Sequence, residues 1–343
     1  MRRILLFVAL VMAAALTSAA GAHTAVGVTT VAGGLDHPNG LAFAPDGTMY
    51  VTEMGHGGDA CYAEPNFLGF GDLGDACYGQ SGAITRIKNG RRERVVQGLF
   101  SMGVFGGAVS VGAEDVAVDG KGRLLIVMAA RAGCQPNDVY PWWARAQIGK
   151  LLWTTSGKHL RVATDIGGRQ CARGMVSSFP AGLATSGGRT YVADGGSGEM
   201  LLLQGSSLRS LGGIKGAFPL SAAIGPDGAV YAGACNCDGS GKVIRYSPGK
   251  PPAIVADGLG WVTGLAFAPD GTLYVADLHF DEKDATVGHG EILRVGRNGA
   301  VKTVVPEGRL EWSGHIAFGS DGALYVVNHV QWAAAGEVLR IKL

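Results

Sequence analysis

The 343-residue sequence has almost no net charge, because 29 Lys and Arg residues nearly balance 28 Asp and Glu residues. The basic residues are scattered, so the chain lacks the positive patch with which proteins bind nucleic acid or an anionic membrane. No apolar run beyond the N-terminus approaches the roughly 20 residues that a membrane-spanning helix needs. These absences predict that neither nucleic acid nor a membrane is a partner.

Sequence motifs of the common catalytic classes are also missing. There is no Gly-x-Ser-x-Gly elbow, no His-Glu-x-x-His zinc motif, no phosphate-binding loop and no dinucleotide fingerprint. The sequence therefore specifies no reaction class, and it leaves open whether the protein is an enzyme.

The N-terminus has the layout of a secretory signal peptide. Arg2 and Arg3 precede an apolar run over residues 4–16, and small residues end the segment at Ala22. The run is too short to span a bilayer. We predict that residues 1–22 are a signal peptide and that residues 23–343 form one secreted, monomeric domain.

A turn motif recurs six times and accounts for much of the abundant glycine, 57 residues in all. It consists of an apolar strand, a Pro or small residue, Asp-Gly, and a second strand that often contains Tyr-Val; residues 40–51 give the clearest copy. Asp-Gly supplies the positive φ of a tight hairpin turn. Near copies lie at residues 224–231, 264–275 and 316–326, and degenerate versions lie at residues 115–126 and 182–192.

Each hairpin is followed by another strand pair, and four strands are the unit of a propeller blade. We predict an all-β fold, a six-bladed β-propeller of four-stranded antiparallel blades. The sixth repeat contains only three strands, the last at residues 337–341. We expect the strand-like segment 26–31 to supply the fourth, which would close the ring and hide its sheet edges.

Long segments follow the second strand of most repeats, and in a propeller these exits share one face. Because long loops on a rigid scaffold commonly carry binding sites, we predict a functional surface at this mouth of the channel. The segments are residues 55–80, 130–147, 234–241, 278–290 and 329–335.

All six cysteines map to the same predicted face, and an even count in an exported protein favours disulfides. Proximity favours pairing Cys61 with Cys77, Cys134 with Cys171, and Cys235 with Cys237. The last bridge would be strained across one residue, so a labile bond or a soft-metal site is the alternative there.

Aligning the repeats places one set of residues at the end of each second strand. Their polar members either cap backbone N–H groups of the loops or turn inward and bind a cation through oxygen. The set is Glu53, Met128, Asp194, Ala234, Asp277 and Asn328, and we take Glu53, Asp194, Asp277 and Asn328 as ligand-binding candidates.

A second set lies where the first strands begin, and we expect it to line the rim of the channel. It contains Asn39, Glu114 with Asp115, Ser221, Thr263 and His315, of which Asn39 and Glu114 are further ligand-binding candidates. His315, His329 and Glu114 are the candidates for proton transfer, with a solvated histidine as the alternative.

The insertion Tyr140-Pro141-Trp142-Trp143 brings a flat aromatic surface to the same face. Such residues either stack on a ring of a ligand or pack the loop down. We predict Trp142 and Trp143 as ligand-binding candidates.

The rim residues resemble those of gluconolactonase-type propellers, which hold a divalent metal with Glu, Asp and Asn. This resemblance implies a site formed by Asn39, Glu114 and Asp277 for calcium or magnesium. Streptogramin lyases, which are similar in their repeats, use His and Glu near magnesium.

Longer stretches resemble the ScyD/ScyE family of exported NHL-type and SMP-30-like propellers. The resemblance rests on LDHPNGLAF at residues 35–43, on Glu53 with Gly57-Gly58-Asp59, and on the C-terminal segments at 320–329 and 336–341. It implies an exported propeller without an assigned activity. We therefore expect a binding or scaffold protein for a small molecule or protein; the alternative is a lyase or lactonase with a divalent cation in the channel mouth.

Overall fold

The computed structural model describes residues 27–63, 74–129, 132–133, 140–236, 238–280 and 288–343. The predicted signal peptide, Cys134 and Cys237 lie outside these ranges. Most of the described residues form antiparallel strands. The two described α-helices are α1 (Trp142–Arg145) and α2 (Ile166–Ala172), and neither has the length to cross a bilayer.

Strand β1 (Gly27–Leu35) begins the described chain. Sheet 1 follows, and its strands are β2 (Pro38–Phe43), β3 (Met49–Glu53), β4 (Ala60–Ala63), β5 (Asp75–Lys88), β6 (Arg91–Val104) and β7 (Val109–Val111). Sheet 2 consists of β8 (Ala113–Val118), β9 (Leu124–Met128), β11 (Lys150–Thr154) and β12 (Arg161–Asp165), while β10 (Ala132–Gly133) pairs with β13 (Ser177–Ser178).

The remaining sheets have four strands each. Sheet 3 consists of β14 (Pro180–Ser186), β15 (Arg189–Asp194), β16 (Glu199–Gln204) and β17 (Ser207–Gly213). Sheet 4 consists of β18 (Ala217–Ile224), β19 (Val230–Asn236), β20 (Gly241–Tyr246) and β21 (Ala253–Leu259). Sheet 5 consists of β22 (Trp261–Phe267), β23 (Leu273–Phe280), β24 (Gly288–Val295) and β25 (Val301–Glu311). Sheet 6 consists of β26 (Ile316–Phe318), β27 (Leu324–Asn328), β28 (Gly336–Lys342) and β1.

The predicted pairing of the N-terminal segment with the last strand is confirmed for the described residues. Val28 lies opposite Ile341, and Thr30 lies opposite Leu339. Sheet 6 is therefore built from both ends of the described chain.

Contacts between sheets run through their first strands. β2 contacts β8, and the contacts continue through β14, β18, β22 and β26 before returning to β2. Glycines permit this close approach: a Cβ on Gly40 would lie 2.5 Å from Asp115 Cα, and one on Gly182 would lie 2.5 Å from Ser221 Cα. Gly264 meets the backbone of Ile316 in the same way, at 2.8 Å. The first strands therefore pack backbone to backbone.

Apolar side chains fill the spaces between neighbouring sheets. Val127 and Leu151 of sheet 2, for example, pack with Val192 and Leu201 of sheet 3, and all four are fully buried. Each such side chain contributes about 1.5–3 kcal/mol when it leaves water. This burial on both sides of a sheet explains why the second strands are almost wholly apolar.

The Asp-Gly hairpins define one end of the sheets, which we call the turn face. At Asp321, Oδ1 accepts the Ala323 N–H, while Oδ2 accepts bonds from Tyr325 and from Arg340 Nε at 2.7 Å. Burial alone would raise the pKa of Asp321, but the bond from Arg340 and its neighbours lower it overall. The same Asp–Tyr–Arg trio recurs at Asp227 in sheet 4. The repeated Asp and Tyr of the sequence are thus structural.

Candidate functional site

The connections from second to third strands define the opposite end, the loop face. The polar residues that end the second strands are buried there, and each accepts a backbone N–H from the segment that leads into its own sheet. The pairs are Asp36 N with Glu53 at 2.8 Å, Phe179 N with Asp194 at 2.6 Å, Gly260 N with Asp277 at 3.2 Å, and Glu311 N with Asn328 at 2.9 Å. All four candidates therefore cap loop backbone.

Three of these capping side chains make further hydrogen bonds besides the one to the loop backbone. Glu53 is held by Arg94, with Nη2 at 2.5 Å and Nε at 3.0 Å, and it also accepts a bond from Thr85. Burial raises the pKa of Asp194, whose oxygens accept bonds from Ser178 and Phe179. The Asn328 amide donates to Glu337. Hydrogen bonding within the protein therefore explains the presence of these three polar side chains.

The strand-entry residues Asn39, Glu114, Asp115 and His315 form what we call the central cluster. Asn39 Nδ2 donates to Glu114 Oε2 at 2.9 Å and to the Glu114 carbonyl at 3.1 Å. His315 Nδ1 lies 3.2 Å from Asp115 Oδ1, and Asp115 Oδ2 accepts the Leu183 N–H at 2.7 Å. The cluster thus joins sheets 1, 2, 3 and 6.

Two members of this cluster, Glu114 and His315, have raised pKa values. Burial raises the pKa of Glu114 to about 7, against the opposing bonds from Gly112 and Asn39. For His315 burial acts downward, but the charge of Asp115 and the hydrogen bond to it raise the pKa overall. His315 also bonds the Leu220 carbonyl, so the ring is held on two sides.

Asp277 belongs to a different group, which lies within sheet 5 and which we call the sheet-5 cluster. Asp277 and His279 are two positions apart on β23, and Glu291 lies opposite Asp277 on β24. His279 Nε2 lies 3.2 Å from Asp277 Oδ2 and 3.5 Å from Glu291 Oε1. One ligand atom from each residue falls within 4.8 Å of the others.

One buried carboxylate oxygen in this cluster has no hydrogen-bond partner among the described residues. Asp277 is 1% exposed, and its Oδ1 is buried without a hydrogen-bond partner among the described residues. Burial raises the pKa of Asp277, although His279 and the Gly260 N–H act against this. An unsatisfied buried carboxylate oxygen is costly, typically by about 1–3 kcal/mol or more. A bound cation would remove that cost.

The other side chains of the cluster are positioned by their neighbours. Thr303 donates to Glu291 Oε2 at 3.2 Å. Gly260 lies so close to His279 that a Cβ on residue 260 would be 2.9 Å from Nδ1. Only glycine at this position leaves room for the imidazole. The His279 side chain is 40% exposed, which leaves the cluster open to solvent.

Aromatic rings stand beside this group. Phe280, which follows His279, meets Trp261 edge to face at 4.6 Å and Trp312 at 5.4 Å. His329 directly follows β27 of sheet 6. It stacks on Trp332 at 4.2 Å, and its Nδ1 is 3.3 Å from the Ala335 carbonyl oxygen.

The predicted disulfide between Cys61 and Cys77 is confirmed, and it joins β4 to β5. Cys171 is also disulfide-bonded. Cys235 is buried on β19. The predicted pairings with Cys134 and Cys237 fall on residues outside the described ranges.

The two candidate tryptophans differ in their surroundings. Trp143 packs against Tyr78 and Phe100, with ring centres 6.4 Å and 6.3 Å away. Trp142 is 76% exposed and lines a groove of about 260 Å³. Trp143 therefore packs against the protein, whereas the exposed Trp142 keeps the ligand-stacking role as a prediction.

The resemblance-based trio of Asn39, Glu114 and Asp277 is divided between two groups, because the first two bond each other in the central cluster. Sequence reasoning missed His279 and Glu291 as partners of Asp277. It compared equivalent positions in different repeats, whereas this group forms within one repeat. The available signal was the Asp-x-His spacing, which puts two side chains on one face of a strand.

No model of a protein family matches the sequence, and no curated protein does. Several solved structures are similar. A glucose dehydrogenase has a TM-score of 0.58 at 15% identity, covering 92% of this chain and 99% of that chain. A virginiamycin B lyase from Staphylococcus aureus has a TM-score of 0.48 at 9% identity, covering 93% and 99%. A gluconolactonase from Xanthomonas campestris has a TM-score of 0.38 at 11% identity, covering 92% and 90%. The likeness to the glucose dehydrogenase establishes the fold alone: this chain is an all-β protein of the β-propeller type.

Proposed function

We propose that this chain is an exported, ScyD/ScyE-like propeller of six blades that holds a divalent cation at its loop face. The contacts that pass through all six first strands and return to β2, together with the pairing of β1 with β28, support a closed ring. The confirmed disulfide favours an oxidising compartment. We place residues 23–343 in one monomeric domain.

The sheet-5 cluster carries the cation proposal, through the unsatisfied Oδ1 of buried Asp277. Ligand atoms bound at about 2.1 Å in tetrahedral geometry lie about 3.4 Å apart. The separations of His279 Nε2 from Asp277 Oδ2 and from Glu291 Oε1, 3.2 Å and 3.5 Å, match this spacing. One ligand atom from each of the three residues lies within 4.8 Å of the others, so the three side chains can converge on one cation.

The donor types also bear on which cation fits. Calcium and magnesium, expected from the resemblance, prefer oxygen ligands, whereas imidazole suits zinc and related metals. Two carboxylates and one imidazole are a mixed set, so we propose zinc first and manganese or magnesium after it. The half-exposed His279 leaves room for a substrate or water ligand.

We propose a lyase or lactonase reaction at this site. A bound cation would supply Lewis-acid polarisation of a substrate carbonyl. The protein's own residues fix the site: the Gly260 N–H orients Asp277, and Thr303 orients Glu291. The rings of Trp261, Phe280 and Trp312 offer an apolar wall for the rest of a substrate.

Metal binding tests the proposal directly. Chelator-dialysed protein is titrated with zinc, manganese, magnesium and calcium, and the bound ion is counted by elemental analysis. We expect one ion per chain, with binding at least about tenfold weaker in Asp277→Asn and in His279→Gln. Glu307→Gln, an exposed change in the same sheet, is the matched control. The proposal fails if the protein holds no ion or if Asp277→Asn binds as tightly as the parent.

Activity is a separate arm. Metal-loaded protein is assayed against a panel of lactones and cyclic esters, and we expect turnover that Asp277→Asn abolishes. Metal binding without turnover of any panel member would retain the cation site and reject the lactonase and lyase assignment.

Ligand binding without catalysis is the second candidate function, as the sequence first suggested. The exposed indole of Trp142 beside a groove favours it. This groove is on sheet 2, whereas the cation cluster is on sheet 5.

A further inference from the structure

The central cluster holds two neighbouring carboxylates between the first strands of the sheets. Glu114 and Asp115 are consecutive on β8, and they are only 5% and 3% exposed. Carboxylates buried in this way need a proton, a cation or hydrogen-bond donors in place of water. The resemblance to gluconolactonase-type propellers implies a metal ion here, held in part by Asn39 and Glu114. The contacts of the cluster contradict that expectation.

Every carboxylate oxygen of the two residues already accepts a hydrogen bond from the protein. The four pairs are Gly112 N with Glu114 Oε1 at 3.2 Å, Asn39 Nδ2 with Glu114 Oε2 at 2.9 Å, Val116 N with Asp115 Oδ1 at 2.8 Å, and Leu183 N with Asp115 Oδ2 at 2.7 Å. Asp277 of the sheet-5 cluster differs, because its Oδ1 has no such partner among the described residues. The central cluster therefore has no carboxylate oxygen in need of a metal ion.

The imidazole of His315 supplies positive charge to this cluster. Its Nδ1 lies 3.2 Å from Asp115 Oδ1, and the ring also bonds the Leu220 carbonyl. Each of these two acceptors needs an N–H, whereas a neutral imidazole has only one. Burial acts downward on the pKa of His315 but Asp115 raises it overall, which agrees with a ring that carries both protons.

The packing around His315 is close. Its side chain is 9% exposed, and a Cβ on Gly264 would lie 2.9 Å from the His315 Cα. A Cβ on Gly314, the preceding residue, would lie 2.9 Å from Asn39 Oδ1. The imidazole thus fills the space beside the carboxylates. Asn39 and Glu114 do not fit a metal ion while His315 is present.

We infer that the imidazolium of His315 is a built-in cation that takes the place of a metal ion in the central cluster. It links sheet 6 to Asp115 of sheet 2 and to Leu220 of sheet 4. Neither sheet neighbours sheet 6 in the order of first-strand contacts. One side chain therefore joins strands across the cycle, as a metal ion does with ligands from several strands. The inference uses no residue of the sheet-5 cluster, so it is independent of the cation proposed there.

The charge on the ring can be read in the parent chain without any substitution. Nitrogen-15 NMR of the imidazole groups in the full mature chain at pH 7 distinguishes imidazolium from either neutral tautomer. We expect both ring nitrogens of His315 to carry protons, with the exposed His159 as the reference for a solvated ring. A neutral tautomer at His315 would overturn the inference.

Metal binding tests the replacement itself. Manganese is the probe, since it accepts carboxylate and carbonyl oxygen ligands. Asp277→Asn serves as the background, because it removes the proposed sheet-5 site. Adding His315→Ala should create a site for one ion that binds at least about tenfold more tightly than any in the background, through removal of the competing charge. Adding Glu114→Gln as a third change should abolish this gain, and His159→Ala in the same background is the control.

Two outcomes of the metal experiment would contradict the inference. In the first, the parent binds an ion that Glu114→Gln abolishes, which would put a metal ion beside His315. In the second, the folded His315→Ala chain gains no ion. Thermal unfolding verifies the fold of each variant, and His315→Gln, which keeps one hydrogen bond, replaces the alanine variant if that chain does not fold. Should neither fold, the NMR measurement on the parent decides. Loss of an ion in Asp277→Asn alone bears only on the sheet-5 site.

Discussion

The turn face and the loop face of this protein are built by opposite means. On the turn face the same Asp–Tyr–Arg arrangement occurs in sheets 4 and 6, at Asp227 and Asp321, and each copy pairs its own charges. On the loop face the polar residues that end the second strands share the capping role, but they differ in type and in their other partners. The comparison teaches that residues with repeated contacts belong to the structural scaffold of this molecule. Residues whose contacts differ from those of their equivalents in other sheets are the candidates for binding or catalysis.

The largest expected effect concerns the covalent link on the loop face. Replacing Cys61 and Cys77 together by Ser removes a bridge across 16 residues, and the loss of such a loop constraint costs about 3 kcal/mol. Urea unfolding of the double variant measures it. A loss below about 1 kcal/mol would indicate that pairing of β4 with β5 holds this face without the crosslink.

The central cluster gives the next effect, through pH. The raised pKa values mean that folded Glu114 and His315 bind protons more tightly than the unfolded chain does. The free energy of unfolding therefore falls as pH rises from about 4.5 to 7 for Glu114, and again above 6.5 as His315 loses its proton.

From the Glu114 values of 4.5 and about 7, that fall amounts to up to about 3 kcal/mol. In Glu114→Gln most of the fall between pH 5 and pH 8 should vanish, as measured by urea unfolding at several pH values. Glu307→Gln, an exposed change, should keep it. An unaltered pH slope in Glu114→Gln would show that the carboxyl titrates normally.

Backbone contact between first strands gives a smaller effect. Gly264→Ala would put a Cβ 2.8 Å from the Ile316 nitrogen, and relief of such crowding costs about 2 kcal/mol. Gly120→Ala is the control, because nothing lies within 4 Å of its added Cβ. Thermal unfolding compares the two. Equal stability would mean that the first strands can separate at no cost.

The smallest effect is expected on the turn face. Asp321→Ala removes one turn cap and an exposed ion pair with Arg340, which together are worth about 1 kcal/mol. The same change at Asp227 should cost a similar amount, since the arrangement is repeated. Unequal losses at the two sites would show that the two copies are not equivalent.

The repeated features of the fold were predicted well from the sequence. The repeated hairpin motif, with its degenerate copies, located the first hairpin of every main sheet. The three-stranded last repeat led to β1 as its partner. These features depend on local turn chemistry and on the need to pair an edge. The polar positions at the second-strand ends were found for the same reason. Their capping role was one of two alternatives, and only the positions of the loop N–H groups decided it.

The chemistry of the candidate site was less accessible. Asp277 was found, but its partners His279 and Glu291 come together through the β23–β24 register. Register across a hairpin depends on where the loop closes, which repeat alignment does not give. Likewise, the sequence placed Trp142 and Trp143 side by side without separating the exposed indole from the packed one, since that depends on sheet 2 beneath them.

The pairing of β1 with β28 has a mechanical consequence. Gly27 lies opposite Lys342, so the two strands meet at the same end of the seam. Tension applied between these residues parts the ladder one rung after another, as in a zipper, instead of loading all rungs together in shear. The seam between β1 and β28 therefore offers little resistance to force applied at this end.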